Sequence, residues 1–252
     1  MLILGISEDF FDSGITICND SEILFMSNEE RYTRRKNEGG FPYLSLEAGL
    51  KYLGISLRDI EAVCVSGFFT PFPVFRLFPS VHKRAFEARR SKKEKRFWGN
   101  LTDWAVNSSP VSYRNPSPKV KKILSPILER VLRKKLPDLS PQVRVSFVEH
   151  HEAHAWGAFF TSGFERALII TADGMGDGVS LTVSVGKSNQ VERLWQVSAR
   201  DSFGIFFENL TEVMGFVPCR DEGKLTGLSA WGNANLVEDK NPFSWDGTRI
   251  VY

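Results

Sequence analysis

The chain has 252 residues, 42% hydrophobic and 25% charged, with a formal net charge of +2. That composition is ordinary for a soluble globular protein and argues against global disorder, and no apolar run approaches the roughly 20 residues a membrane helix needs. Cys18, Cys64 and Cys219 are widely spaced and odd in number, which fits reduced thiols better than a disulfide framework or a paired-cysteine metal knuckle.

The N-terminal "MLILGISEDFFDSG" has no basic leader and turns acidic early, so it does not resemble a secretory signal and a cytoplasmic protein without a membrane partner is expected. "LILGIS" reads as a short buried strand. "GITICNDSEILFMSNEE" reads as two strands around the turn signal Asn19-Asp20-Ser21. In "LSLEAGLKYLG", Leu46, Leu50 and Leu53 recur at helical spacing and Gly54 supplies the stop. "IEAVCVSG" reads as another buried strand, and the opening order is therefore β-β-β-α-β.

From Arg76 to Lys135 there are 17 Lys and Arg against four acids, which marks a helical basic insertion over about residues 71–142. Its two helical stretches, "VHKRAFEARRSKKEKRFWGNLTDWAV" and "SPKVKKILSPILERVLRKKLPDL", are separated by breaks around Pro110, Pro116 and Pro118. Such a run is ordinarily a solvated face. It could also meet an anionic ligand or partner. The interleaved Phe86, Phe97, Trp98 and Trp104 would suit nucleic acid, but they fit helix packing equally well, and a nucleic-acid partner is not the expectation.

The strand "VRVSFV" then leads into "HHEAHAWGAFF", which carries three of the four histidines. On a helix, His150 and His154 stand at i and i+4 on one face, with His151 and Glu152 rotated away. Two imidazoles one turn apart can hold a divalent ion. The spacing is not that of a zincin, because the second histidine of HExxH would fall on Ala155.

From Ala167 onward the opening order recurs: "ALIITADGMGDG", a hairpin of "SLTVSVG" and "VERLWQVSAR" around Lys187-Ser188-Asn189, then an apolar helical face in "FGIFFENLTEVMGF". In both repeats the first strand runs into a polar loop, Glu8 to Gly14 and Asp173 to Ser180. Amides in such loops can form anion nests, so Ser13, Gly14, Gly174 and Gly176 are candidate contacts to a phosphorylated or nucleotide-like ligand in a two-lobed α/β fold.

Three stretches, "LGISEDFFDSGITICNDSEILFMSNEERYTRRKNEGGFP", "EHHEAHAWGAFFTSGFERALIITADGMGDG" and "SFGIFFENLTEVMGFVPCRDEGKLTGLSAWG", resemble the N-terminal part of the O-carbamoyltransferases typified by nodulation protein NodU and by enzymes of cephamycin and tobramycin tailoring. The resemblance implies a duplicated actin-like (ASKHA, Kae1-like) fold with mixed sheets: residues 1–166 as a first lobe containing the insertion, and 167–252 as the start of a second. It places an HxExH motif on His150, Glu152 and His154, with the two histidines and Asp173 as ligands of a divalent ion, Fe2+ in the family. It implies that ATP and carbamoyl phosphate yield a carbamoyladenylate in a separate YrdC-like domain. The carbamoyl group then passes to a hydroxyl of a small-molecule acceptor. Lys36 falls on a basic active-site position, Glu222, Lys224 and Gly227 fall along the nucleotide cleft, and Asp12 is a candidate base for the acceptor hydroxyl.

Two departures from the family pattern bear on this expectation. Phe11 stands where the family has a histidine, and phenylalanine can neither accept a proton nor bind metal. The chain also stops at Tyr252, short of the rest of the second lobe, so either a fragment of a longer protein or a subunit completed by another is expected, with weak metal binding by the chain alone. A non-catalytic relative that keeps the metal and nucleotide cleft is the alternative. A protein of the tRNA threonylcarbamoylation type is a further one.

Overall fold

Alternation of apolar and polar residues produces the first sheet. β1 (Ile3–Ser7), β2 (Gly14–Cys18) and β4 (Ala62–Ser66) each turn alternate side chains inward, burying Leu4, Ile6, Ile15, Ile17, Val63 and Val65. β1 pairs antiparallel with β2 and parallel with β4, β2 pairs antiparallel with β3 (Ile23–Asn28), and β4 pairs parallel with β5 (Arg144–Val148). The resulting order is β3-β2-β1-β4-β5, a mixed five-stranded sheet. The expected hairpin turn is present: Asn19 Oδ1 accepts from the Ser21 and Glu22 amides at 2.8 and 2.9 Å. The expected helix is α2 (Tyr43–Leu53), preceded by a short α1 (Glu30–Thr33) that the sequence pattern does not announce. Gly54 ends α2 at φ 66°, a left-handed conformation that glycine adopts without a Cβ penalty.

This computed structural model describes residues 1–90 and 117–236, together with the short strands Ser244–Trp245 and Ile250–Val251. The chain divides into two compact units, Met1–Phe86 with Asn115–His154, and Glu87–Arg114 with Ala155–Tyr252. In the basic segment, α3 (Pro73–Leu77), α4 (Pro79–Arg90) and α5 (Pro118–Lys135) are helical. The expected helix over residues 91–106 lies outside the described residues. The segment is more than a solvated face. Leu128 and Leu132 of α5 are buried, and Leu132, with Leu136, Leu139 and Val143 beyond it, joins the core of the first sheet, while Lys119, Lys122, Arg130 and Lys134 stay exposed.

The second unit repeats the β-β-β-α order. β6 (Arg166–Gly176), β7 (Val179–Lys187) and β8 (Gln190–Ser198) form an antiparallel meander ordered β6-β7-β8, and α7 (Phe203–Val213) packs on β6. Ala155 and Phe159, on α6 (His150–Thr161), pack with Ile169 into a small core. One expectation needs revision. The chain does not leave β6 at Asp173 for a long loop; it stays extended to Gly176 through a bulge, and the turn is only Asp177-Gly178, at φ 49° and 80°. Pairing continues because Gly176 still finds Val179 opposite. Among the described residues, no helix is long and apolar enough to cross a membrane.

Candidate metal and transfer site

The site begins where β5 gives way to α6. Glu149 is fully buried and its carboxylate accepts the Glu152 amide at 2.9 Å, capping the helix that presents the histidines. His150 is buried, His154 is exposed, and their Nε2 atoms lie 3.0 Å apart. Two imidazole nitrogens bound to one ion at ~2.1 Å stand about 3.0 Å apart when cis in an octahedron and about 3.4 Å apart at the tetrahedral angle. At 3.0 Å the two nitrogens are also at hydrogen-bond distance from each other, and either coordination geometry is within reach of a small rotation of the exposed His154 ring. His151 is fully buried and turned from this edge, as its helical position requires. On the opposite edge of His150, Nδ1 faces Asp9 Oδ2 at 3.6 Å.

Asp9 belongs to the loop after β1, and that loop is fastened from several directions. The Ser13 amide and hydroxyl both donate to the Glu38 carbonyl, at 2.9 and 3.1 Å, and the Gly40 amide donates to the Asp9 carbonyl at 2.8 Å. Gly39 is required there, because a Cβ would overlap the Phe10 carbonyl. The buried carboxylate of Glu29 accepts from the Leu44 and Ser45 amides and the Ser45 hydroxyl at 2.8 to 3.0 Å. It thereby ties the start of the 29–41 segment to the N-terminus of α2. Lys36 lies exposed on this segment, and Asp12 lies exposed on the β1 loop at φ 55°, a conformation aspartate tolerates. Ser13 and Gly14 are buried, with Ser13 committed to Glu38 and Gly14 paired with Asn28 in the sheet.

Beneath the loop is a buried ionic cluster that the sequence pattern does not single out. Lys135 of α5 donates to Glu8, and Arg76 of α3 lies 3.9 Å from the same carboxylate. Arg76 also donates to the carbonyls of Ser66, Gly67 and Thr70 at 2.9 to 3.0 Å. Burial pushes the Lys135 ammonium below its ordinary range, and the Glu8 carboxylate opposes that shift. A signal for Lys135 exists in hindsight: it continues the inward stripe of Leu128 and Leu132 at helical spacing. His82 of α4 packs against Phe10, Phe75 and Phe86, with Nε2 3.4 Å from the Phe10 carbonyl. Burial lowers its pKa to about 4, so the ring is neutral at pH 7.

In the second unit, Asp173 is exposed near the end of β6, with Gly174 beside it and Gly176 buried at the turn. Ser202 caps α7, accepting the Ile205 amide at 3.2 Å while its hydroxyl donates to the Gly174 carbonyl at 2.6 Å. Gly204 is required at this contact, since a Cβ would stand 2.6 Å from Gly174 Cα. A cavity of about 250 Å³ is lined by Asp173, Gly174, Asp201 and Phe203 among others. Glu222, Lys224 and Gly227 lie on α8 (Glu222–Ser229). There Lys224 pairs with buried Asp221 at 2.8 Å, and Glu222 accepts from the Cys219 amide. Arg220, followed by Lys224, holds the Asp221 carboxyl well below the usual carboxylate range.

Comparison with known proteins adds a family match. A family model described as the carbamoyltransferase N-terminus matches residues 2–241. An uncharacterized protein of Synechocystis sp. is 28% identical over 236 residues, 94% of this chain and 35% of that protein. An uncharacterized protein of Methanocaldococcus jannaschii is 31% identical over 230 residues, 91% of this chain and 33% of the relative. Nodulation protein NolNO of Sinorhizobium fredii is 29% identical over 222 residues, 88% of this chain and 28% of the relative. The chain spans about a third of the length of these relatives. Among solved structures, YeaZ from Pseudomonas aeruginosa aligns with a TM-score of 0.36 at 9% identity, over 78% of this chain and 66% of that one.

Proposed function

The chain belongs to the carbamoyltransferase N-terminus family, and from that premise we propose that it is part of an O-carbamoyltransferase passing a carbamoyl group from a carbamoyladenylate to a hydroxyl of a small molecule. The observation that carries this reading is the imidazole pair, His150 Nε2 and His154 Nε2 at 3.0 Å, within a chain the family matches over residues 2–241. The acceptor oxygen attacks the carbamoyl carbon, the bond from that carbon to the AMP phosphate oxygen breaks, and the hydroxyl proton passes to a base. Asp12, an exposed carboxylate on the loop after β1, is the base in this reading. Lys36, exposed on the segment bonded to that loop, offsets negative charge on the phosphate. His150 and His154 would hold a divalent ion, Fe2+ by the resemblance, and that ion would supply positive charge to oxygens that gain electron density during transfer.

The ligand role of Asp173 and the catalytic role of Glu152 rest on the family resemblance. So does nucleotide binding by Ser13, Gly14, Gly174, Gly176, Glu222, Lys224 and Gly227. ATP and carbamoyl phosphate become the carbamoyladenylate in a YrdC-like domain or subunit, which is the partner this reading needs. The test is an assay of the full-length protein with carbamoyl phosphate, ATP, Fe2+ and a panel of hydroxyl acceptors. Carbamoylated product and AMP should form one for one. Metal-loaded protein that yields neither would sink the proposal.

A second reading is a binding module that keeps the cleft without the chemistry, and Phe11 favours it. The Phe11 ring lies edge-on to Phe10 at 4.7 Å and tilted on Phe86 at 5.6 Å, so this position serves packing. Phe11→His discriminates: activity that appears or rises points to a weakened catalyst, and indifference removes position 11 from the chemistry.

A further inference from the structure

We propose that Asp9 is a positioning residue for the metal: its carboxylate holds the Nδ1 edge of His150, so that Nε2 is aimed at the ion shared with His154. The inference rests on the reading that these histidines bind metal. It goes beyond that reading by assigning a role to a residue that is neither a proposed ligand nor a proposed catalyst.

Asp9 Oδ2 stands 3.6 Å from His150 Nδ1, and the other ring nitrogen stands 3.0 Å from His154 Nε2. The imidazole is thus bracketed, with a carboxylate at one edge and the partner ligand at the other. At 3.6 Å the contact with Asp9 is electrostatic and longer than a hydrogen bond. Ligating histidines ordinarily present their second nitrogen to such a carboxylate, which fixes tautomer and ring orientation.

Asp9 is built for this use. Its Oδ1 accepts the Phe10 amide at 2.5 Å, leaving Oδ2 toward the ring. Its carbonyl is held by the Gly40 amide at 2.8 Å, and the adjoining Gly39 leaves no room for the loop to drift. The cations Lys135 and Arg76 are drawn to neighbouring Glu8. Both side chains are mostly buried, 18% exposed for Asp9 and 10% for His150, so their interaction is weakly screened.

The test uses the full-length protein with Co2+ alone as a spectroscopic probe, comparing wild type with Asp9→Ala and Asp9→Asn. Asp9→Ala should weaken Co2+ binding by about 10- to 100-fold and change the visible absorption of the bound ion. In the metal-free protein, side-chain nitrogen NMR should find His150 protonated at Nδ1 in the wild type and redistributed between its nitrogens in both variants, with His154 changing in step because the two Nε2 atoms lie 3.0 Å apart and only one of them can carry the proton between them. That readout does not depend on activity and serves even if Asp9→Ala folds poorly, because Asp9→Asn preserves the shape. Equal Co2+ affinity and an unchanged His150 tautomer in the variants would overturn the assignment. A full-length wild-type protein that takes up no Co2+ is a different result: it overturns the metal reading itself, and the assignment with it.

Discussion

The two β-β-β-α repeats share an order of elements but secure the end of their first strand in opposite ways. In the first unit, the loop after β1 is held from outside. Lys135 and Arg76 reach Glu8, the Glu38 carbonyl takes both donors of Ser13, and α4 lays aromatic rings over Phe10 and Phe11. In the second unit, the end of β6 is held by its own meander and by the next helix, through the Asp177-Gly178 turn, Ser202 and the close approach of Gly204 to Gly174. A long polar loop needs remote elements to fix it, whereas a bulge and a two-residue turn are fixed by strand pairing. The basic insertion is thus part of what shapes the first loop. The second repeat has no counterpart to it among the described residues.

Breaking the first arrangement should have the largest effect. Glu8→Ala leaves two buried cations without that carboxylate and should destabilise the first unit by about 3–5 kcal/mol, read as lost hydrogen-exchange protection over residues 3–18 and 62–66. Adding Lys135→Met should recover much of it. No recovery would mean that the pair is incidental to the loop. Trp156, Trp195 and Trp231 lie in the second unit, so the fluorescence they contribute should change little in either variant.

The next effect depends on pH. The His82 pKa is depressed to about 4 by burial, against ~6.5 in an unfolded chain. Its stabilising contribution is complete above about pH 6.5, fades as the pH falls, and is gone below about pH 4, amounting to about 3 kcal/mol. Denaturant melts of wild type and His82→Asn should therefore converge as the pH drops through that window. Parallel pH dependences would show that the α4 clamp does not exclude water from the ring.

In the second unit, Gly204→Ala should cost about 1–3 kcal/mol, because the added methyl meets backbone on Gly174. Ser202→Ala should cost about 1 kcal/mol through the lost cap. Both should appear in tryptophan fluorescence melts and leave exchange in residues 3–18 unchanged. If either variant loosens the first loop, the two strand ends are coupled and the contrast between them fails.

Much of the framework was legible in the chain itself. Period-two burial in "LILGIS" and "IEAVCVSG", the Asn19 turn and the Leu46–Leu53 helix all appear where the pattern places them, because strand pleat and helical turn act over a few residues. The i, i+4 spacing of His150 and His154 likewise sufficed to predict their convergence, which the backbone of one helix enforces. The length of the second loop was misjudged because Asp173-Gly174 reads locally as a turn, whereas the pairs Ala172–Leu181 and Gly176–Val179 on either side keep these residues in a bulge of the strand.

Charge was the least legible quantity. In the run from Arg76 to Lys135, nothing local distinguishes the cations that face solvent from the two that turn inward to Glu8, although Lys135 shares the spacing of Leu128 and Leu132. Glu29, Asp9 and His82 were equally silent, since their partners lie 16, 141 and 72 residues away in the chain. The sequence by itself determined most of the strands and helices, the paired imidazoles and the family. Only the tertiary structure decided which charged groups are buried and which carboxylate meets His150, because burial and electrostatics depend on distances in space that neighbouring residues do not set.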